Sequence, residues 1–565
     1  MFVVFEGIDG SGKTTVSNQV VERLQAAGLK VRHLRAEGKF ASRVSESIRD
    51  LGRDARNLEI APQTEFLLYV ARDVQLIEEF LRPALSEYDV VIADRFLFTA
   101  EVLAREGRRL PREFIEPVLR AAAAGIEPDL VVLVDVDPVL ARARRKAHKI
   151  AVLDKRPPSR KGLSGVGLQH RIRNGYRELA LQNPERWALV KNEEVLEDTV
   201  ARVTELVSRA VRSGVPSALA HFRDTAPSAN RALDRVGSQS EAVDKFLHWI
   251  DLRLKREPRV AAYLLGGLSG PGIDERRSAL SELVPEAVLA ALNGLDDEVS
   301  WSLRLRLAER FPGAVARTLS SIAGLSPRAA ELRKALVAHC PTDVAASLWR
   351  LDDEPSWALR EQLFGEHPHV TASSVAWLDN ERAWALRERW LSQYGARIAS
   401  DYDTARVAAR SITSLSGERA WAIRKQAHHA APVAALWSLG ACTDADSWRL
   451  RREYLTRAPK VVMGTLKATR DALAWEMRRR VAEDCKEAID SIQGLDDAEA
   501  WQLREEHQDR WPSTVVKSLG LLSDGERGRA LVLRQLEHHG ANISLLKHVS
   551  AIALGLQRGA QELDD

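Results

Sequence analysis

The sequence predicts two fold classes in one chain: an α/β P-loop domain with a doubly wound parallel sheet over residues 1–210, and an all-α solenoid of short helical hairpins over 241–565. Three observations carry this reading. A G-x-x-x-x-G-K-T stretch, Gly7 to Thr14, lies between the apolar run MFVVFEGI and a segment of helical spacing, VSNQVVERLQAAG. Apolar strand-like runs then alternate with helical segments as far as about residue 210. Beyond 240 an arginine recurs, mostly every 26 or 27 residues, inside a W-x-x-R motif.

The first apolar run is rich in β-branched and aromatic residues and reads as a buried strand. After it, Gly7, Ile8, Asp9, Gly10, Ser11, Gly12, Lys13, Thr14 and Thr15 form a loop whose glycines let backbone N–H groups turn onto an anionic phosphate at a helix N-terminus. Lys13 is placed to reach the β- and γ-phosphates of ATP, and the Thr14 hydroxyl to ligate Mg²⁺. LKVRHLRAEG, DVVIADR, DLVVLVDVD and RWALVKN are the following strands. In such a sheet ligands gather at the carboxyl ends of the strands. Asp94 and Arg95 fall at one of these ends, an acid to support the metal beside a guanidinium to grip a second phosphate. From Arg142 the chain turns basic through ARARRKAHKI, DKRPPSRKG and QHRIRNGYR, which suits a lid whose arginines offset charge on a transferring phosphoryl group.

Residues 211–240 are richer in Ser, Pro and Gly and read as a linker. The array follows, with arginines at 304, 333, 360, 387, 424, 451, 478 and 504. A period of this length means stacked helical hairpins, each too short to stand alone. They resemble shortened HEAT-type repeats. The repeated tryptophan reads as a core wedge between hairpins, and the arginine as a partner of the acidic turn that often precedes it, as in GLDDEVSW and RLDDEPSW.

Charge bounds the partners. Residues 236–565 carry 44 Lys+Arg against 46 Asp+Glu, whereas residues 1–235 carry 38 against 33. A nucleic-acid-binding array needs a clear positive excess, so the array reads as a surface for protein contacts. Cys340, Cys442 and Cys485 show neither metal spacing nor a disulfide framework, which fits a reducing, cytoplasmic setting. There is no apolar run of membrane-spanning length, and Met1 leads directly into the first strand, so neither a signal peptide nor a membrane anchor is expected.

The succession FEGIDGSGKTT, LLYVARDVQLIEEFLRPAL, DRF, PDLVVLVDVDP and RIRNGYRELA resembles the thymidylate kinase family of nucleoside monophosphate kinases, over about residues 1–210. The resemblance implies transfer of the γ-phosphoryl group of ATP, with Mg²⁺, to a nucleoside monophosphate. It implies that Gly7 to Thr15 bind ATP, that Asp9 lies near the acceptor's sugar and phosphate, and that Arg95 holds the acceptor phosphate. Tyr69 keeps the aromatic that stacks the base, Thr99 keeps a hydroxyl, Arg35 keeps the arginine of a neighbouring loop, and Arg144, Arg160 and Arg171 are candidates for the lid. Members of the family are commonly homodimers, an interface that a long C-terminal array stands to block or replace.

The departures fall on the acceptor side. Where the family reads Asp-Arg this chain has Arg72-Asp73, so a carboxylate stands where a guanidinium meets the thymine ring. Asp73 is expected to repel a thymine carbonyl and to accept from an exocyclic amine, which favours cytosine, adenine or guanine over thymine. Arg72 lies about 100° round the helix and is not expected to substitute. Leu103-Ala104 replaces a Tyr-Gln pair. The functional expectation is an ATP-dependent nucleoside monophosphate kinase of uncertain acceptor base. The alternative is a nucleotide-gated regulatory P-loop protein whose array binds a partner.

Overall fold

The structure, a computed structural model, describes residues 1–34, 42–53, 60–152, 166–192, 196–224, 236–292, 294–322, 326–540 and 542–554. The chain divides into two compact units, one of Met1–Arg145 with Pro157–Arg231, the other of Lys146–Arg156 with Ala232–Asp565.

The first unit runs β1 (Phe2–Glu6), α1 (Lys13–Ala26), β2 (Val31–Leu34), α2 (Arg43–Arg53), α3 (Pro62–Leu76), α4 (Arg82–Glu87), β3 (Val90–Asp94), α5 (Leu97–Val102), α6 (Arg112–Ala123), β4 (Leu130–Asp135), α7 (Pro138–Val152), α8 (Val166–Gln182), β5 (Trp187–Lys191), α9 (Leu196–Ser213) and α10 (Val215–Asp224). The five strands are parallel, in the order β2-β3-β1-β4-β5. Strands β1, β3 and β4 are buried along their whole length, as near-continuous Val, Ile and Leu runs require when helices cover both faces of a sheet. All the strands therefore point their carboxyl ends the same way, and the loop after β1 shares that edge with Asp94, the last residue of β3, and Asp135, the last of β4. Single π-helical turns, Ile77–Leu81 and Leu103–Gly107, follow α3 and α5.

Within the stretch 211–240 read as a linker, residues 225–235 lie outside the described residues and the part before them is helical. Val215–Asp224 is helix α10, packed on α9, and its Ala218, Leu219 and Phe222 belong to the same apolar core as β1, β4 and α1. Pro216 and Ser217 sit in its first turn, and Ser238 caps the helix that starts at Gln239, so a turn-like composition at these positions marks helix starts rather than an open chain.

The second unit alternates short helices with longer ones. Many short ones begin on proline, for example Pro285–Ala290, Pro312–Thr318 and Pro341–Ala346, because proline at the first helical position gives up no hydrogen bond. Each short helix packs on the next short helix along the array. The first helix, Gln239–Leu254, also packs along the last, Ile543–Ala553, so the array closes on itself. No described helix is long and apolar enough to cross a membrane.

The repeated motif has a uniform geometry. Trp301, Trp357, Trp384, Trp448, Trp475 and Trp501 are buried, as a core wedge requires. The arginine three residues later is fully buried, its guanidinium 4.5–5.1 Å from the centroid of that ring. Its bonding partners correct the expectation. Arg304 donates to the carbonyls of Leu292 (3.0 Å) and Leu295 (2.8 Å) and to the hydroxyl of Thr318 (2.9 Å). Arg360 repeats this with Leu348 and Ser374, and Arg504 with Ile492, Leu495 and Ser518. The acidic turn is engaged elsewhere. Its first aspartate accepts the indole N–H five residues on, Asp296 from Trp301 and Asp352 from Trp357, and its second caps the helix. The carbonyls just past a short helix lack intrahelical donors and carry its negative pole, and a five-donor guanidinium satisfies several at once. Burial pushes Arg304, Arg333, Arg360, Arg387, Arg451, Arg478 and Arg504 down to about 10, which leaves them charged at neutral pH.

Candidate active site

The loop between β1 and α1 is shaped by two contacts that admit only glycine. Gly10 has φ +87°, and a Cβ there would lie 2.2 Å from the Ala141 carbonyl of α7. Gly12, at φ +90°, is backed by the Asn192 side-chain amide, 2.5 Å from the place of a Cβ. The Lys13 ammonium folds over the loop, donating to the Ile8 carbonyl at 3.2 Å and lying 4.0 Å from Asp9. Burial and the nearby Arg95 lower Lys13 to about 8, against the attraction of Asp94, Asp9 and Glu6.

At the end of β3, Asp94 is buried and accepts from the Thr14 hydroxyl. Arg95 follows in the left-handed region, φ 82°, a conformation that costs a non-glycine residue about 1–2 kcal/mol. That turn swings its guanidinium back over β1. There it pairs with Asp9 and donates to Thr99 (3.1 Å) and to Tyr176 (3.3 Å), with Glu6 at 3.7 Å. Burial opposes its charge, but Asp9, Tyr176, Glu6 and Asp94 outweigh burial and raise its pKa. Glu6 is fully buried and accepts from the Phe96 N–H (3.0 Å) and the Thr99 hydroxyl (2.9 Å). Burial pushes its carboxyl up while Arg95 pulls it down.

The sequence-predicted residues are thus partly assembled. Asp9, Lys13, Thr14, Asp94, Arg95 and Thr99 meet at one strand edge. Of the lid candidates, Arg144 donates to the Asn192 carbonyl and Arg171 to the Glu106 carbonyl, both at 2.9 Å. Arg35 and Arg160 lie outside the described residues. Tyr69 faces Arg72, 5.1 Å from guanidinium to ring centroid. Arg72 departs from its expectation. It is buried, and its guanidinium bonds the Asp73 carboxylate through two nitrogens, Nε at 2.8 Å. The long side chain bends across the one-residue step because a buried carboxylate needs a counter-charge.

Sequence reasoning missed Glu6, Tyr176, Asn192 and the Arg173–Asp135 pair, whose two bonds (2.6 and 2.8 Å) fasten α8 to the end of β4. Glu6 and Tyr176 stood inside the quoted motifs, but nothing in spacing alone turns them toward Arg95. Among the described residues no group of three or more His, Cys, Asp or Glu is arranged to hold a metal ion.

The sequence profile described as thymidylate kinase matches residues 5–203. Among curated proteins, the thymidylate kinase of Pelobacter propionicus is 36% identical over 208 residues, covering 36% of this chain and 94% of that protein. That of Prosthecochloris aestuarii is 35% identical over 188 residues, 33% of this chain and 83% of its own. That of Geobacter sulfurreducens is 34% identical over 210 residues, 37% and 97%. The chain belongs to the thymidylate kinase family. It is accordingly a phosphotransferase, a nucleoside monophosphate kinase. The family match ends at residue 203, short of the array.

Proposed function

We propose that the chain transfers the γ-phosphoryl group of ATP to dTMP, giving ADP and dTDP. The observation that carries this reading is Arg95, held at the mouth of the loop by Asp9 and Thr99, one loop away from Lys13. The amides of Gly7 to Thr15 and the Lys13 ammonium would take the ATP phosphates. Arg95 would align the acceptor phosphate so that its oxygen attacks the γ-phosphorus in line with the departing β–γ bridging oxygen. No general base is needed, because that acceptor oxygen is already ionised. A divalent cation, Mg²⁺ in this reading, neutralises charge on the β- and γ-phosphates when bound. The Thr14 hydroxyl and Asp94 carboxylate are hard oxygen donors within hydrogen-bond reach of each other, a set that suits Mg²⁺. Arg144, Arg160 and Arg171 would add positive charge on closure, the first two from α7 and the basic segment after it.

The test is turnover of ATP with dTMP, followed by ADP release and by dTDP formation. Dependence of ATP consumption on the acceptor supports the reading. Slow hydrolysis that ignores dTMP sinks it.

We read the array, bounded near residues 239–553, as HEAT-like hairpins that contact a protein partner. Exposed ion pairs of mixed sign between successive hairpins, such as Arg382–Glu354 and Arg389–Glu361, support a protein rather than a nucleic-acid surface. Three buried free thiols agree with a cytoplasmic location. A homodimer of the sheet unit is the remaining proposal from the family, and sedimentation of the full chain decides it.

A further inference from the structure

In the array, the two carbonyls that a motif arginine bonds lie on either side of a tight turn. Arg277 reaches Leu265 and Leu268, Arg304 reaches Leu292 and Leu295, and Arg504 reaches Ile492 and Leu495. The residue just before the second carbonyl has a left-handed backbone, and in these hairpins it is glycine: Gly267, Gly294 and Gly494, at φ 72–78°. In two successive hairpins the same place is held by Arg350 (φ 64°) and Trp377 (φ 72°). They follow the short helices Pro341–Ala346 and Pro368–Ser373, which pack on each other. The two side chains meet: the Arg350 guanidinium lies over the Trp377 ring, 3.9 Å from its centroid, and over the Trp349 ring at 4.5 Å. Trp349 is itself pinned, its indole N–H donating to the Ser320 carbonyl at 2.9 Å.

Two left-handed non-glycine residues cost more than exposed contacts between a cation and a ring return. Stability therefore does not account for this stack. Nor does Arg350 do what the motif arginines do. It is exposed, and among the described residues it has no hydrogen bond and no carboxylate partner. Burial against the rings lowers its pKa. Trp377 is 36% exposed, and its indole N–H has no partner among the described residues. With rings against its face, a guanidinium bonds through its edge, a rigid fork that matches one carboxylate through two N–H groups.

We propose that Arg350 and Trp377 form a docking site for an acidic, proline-containing segment of a protein partner, with a carboxylate on the guanidinium and a proline ring on the exposed indole. The inference rests on the reading of the array as a surface for a protein partner. Charge selects the occupant: one cation set among apolar rings complements one carboxylate beside an apolar group. A nucleic acid needs phosphate contacts repeated along a basic surface, and the array's charges are balanced in sign. Proline fits the indole because an extended proline-containing segment loses little entropy on docking against aromatic faces.

The experiment selects a random peptide library, displayed on phage, on the full chain, with Arg350→Gly as the counter-selected protein. That variant installs the residue found at Gly267, Gly294 and Gly494, so it should melt close to the parent protein. Enrichment of peptides with Asp or Glu beside proline is the expected result. A labelled peptide of that consensus, followed by fluorescence anisotropy, should bind about tenfold or more weakly to Arg350→Gly and to Arg350→Gln. Changing the peptide's own carboxylate to the amide should cost as much, and Trp377→Gly should weaken binding in the same direction. Failure to enrich acidic peptides overturns the proposal, as does a marked loss of melting temperature in Arg350→Gly, which makes the stack structural. Peptides that bind the parent and the Arg350 variants equally also overturn it, but leave the array a surface for protein contacts. Displacement of the peptide by a single-stranded oligonucleotide removes both readings.

Discussion

The side-chain amide of Asn192 donates to the backbone carbonyl of Ser11 at 2.7 Å, a bond between residues 181 positions apart. Asn192 follows β5 directly, its own N–H is bonded to the Asp135 carbonyl, and its side chain backs Gly12. The phosphate loop is thereby braced from the far edge of the sheet. Asn192→Ala leaves the Ser11 carbonyl without this donor, which costs about 1 kcal/mol. ATP affinity should fall roughly fivefold with the acceptor KM little changed. Calorimetry with ATP checks it, and an unaltered affinity removes Asn192 from the site.

Lys13 gives a pH dependence with a definite sign. Its pKa of about 8 in the ligand-free chain is low because burial disfavours the ammonium, whereas a bound triphosphate favours it. Above pH 8 the empty site therefore holds an uncharged amine, and binding ATP must take up a proton. Affinity should weaken with rising pH beyond 8, with uptake approaching about one proton at pH 9. Calorimetry in buffers of different ionisation enthalpy reads the uptake directly. Lys13→Ala should abolish this linkage and lower turnover by roughly a hundredfold or more.

The two arginines on either side of Trp357 should differ sharply. Arg360 is buried under the ring and bonded to Leu348 and Ser374; Arg382 lies 4.8 Å from the ring centroid, exposed and paired with Glu354. Arg360→Met leaves buried carbonyls unsatisfied and should cost about 3 kcal/mol. Arg382→Met should cost under about 1 kcal/mol. Denaturant unfolding followed by tryptophan fluorescence compares them, and equal costs would show that burial is not what makes the motif arginine important.

Helix α10 sets where the first unit can be cut. A fragment ending at Ser213 loses Leu219 and Phe222 from the core, a deficit of about 4 kcal/mol or more. A fragment ending after Asp224 keeps them. The longer fragment should fold and bind ATP, and the shorter should be markedly less stable. Equal melting of the two would place α10 outside the unit.

How much of this was legible depended on how far apart the cooperating residues lie. The loop and its strand neighbours are local patterns, so Lys13, Thr14, Asp94 and Arg95 were readable from spacing. The turn of Arg95 toward Asp9 was not, because a positive φ at an arginine has no local signature. Glu6 and Tyr176 join Arg95 only after β1 and α8 have packed. The Arg72–Asp73 pair escaped for another reason. Helical geometry separates adjacent residues by about 100°, and that rule describes Cβ directions, not the reach of a guanidinium. In the array, the period and the tryptophan wedge were plain, but the arginine's partners are backbone carbonyls, which no sequence pattern displays.

The pairing of Gln239–Leu254 with Ile543–Ala553 changes the thermodynamic character of the array. An open row of hairpins behaves as a one-dimensional lattice with two free boundaries, where each end hairpin has a single neighbour and frays first. Joining the ends imposes a periodic boundary: every hairpin has two neighbours, and any local opening must break two interfaces instead of one. Hydrogen exchange should then lack the usual gradient of protection from the middle toward the termini. Which hairpin comes first becomes an accident of where the chain enters, so the same circle should tolerate being opened at another inter-hairpin turn once the native ends are linked.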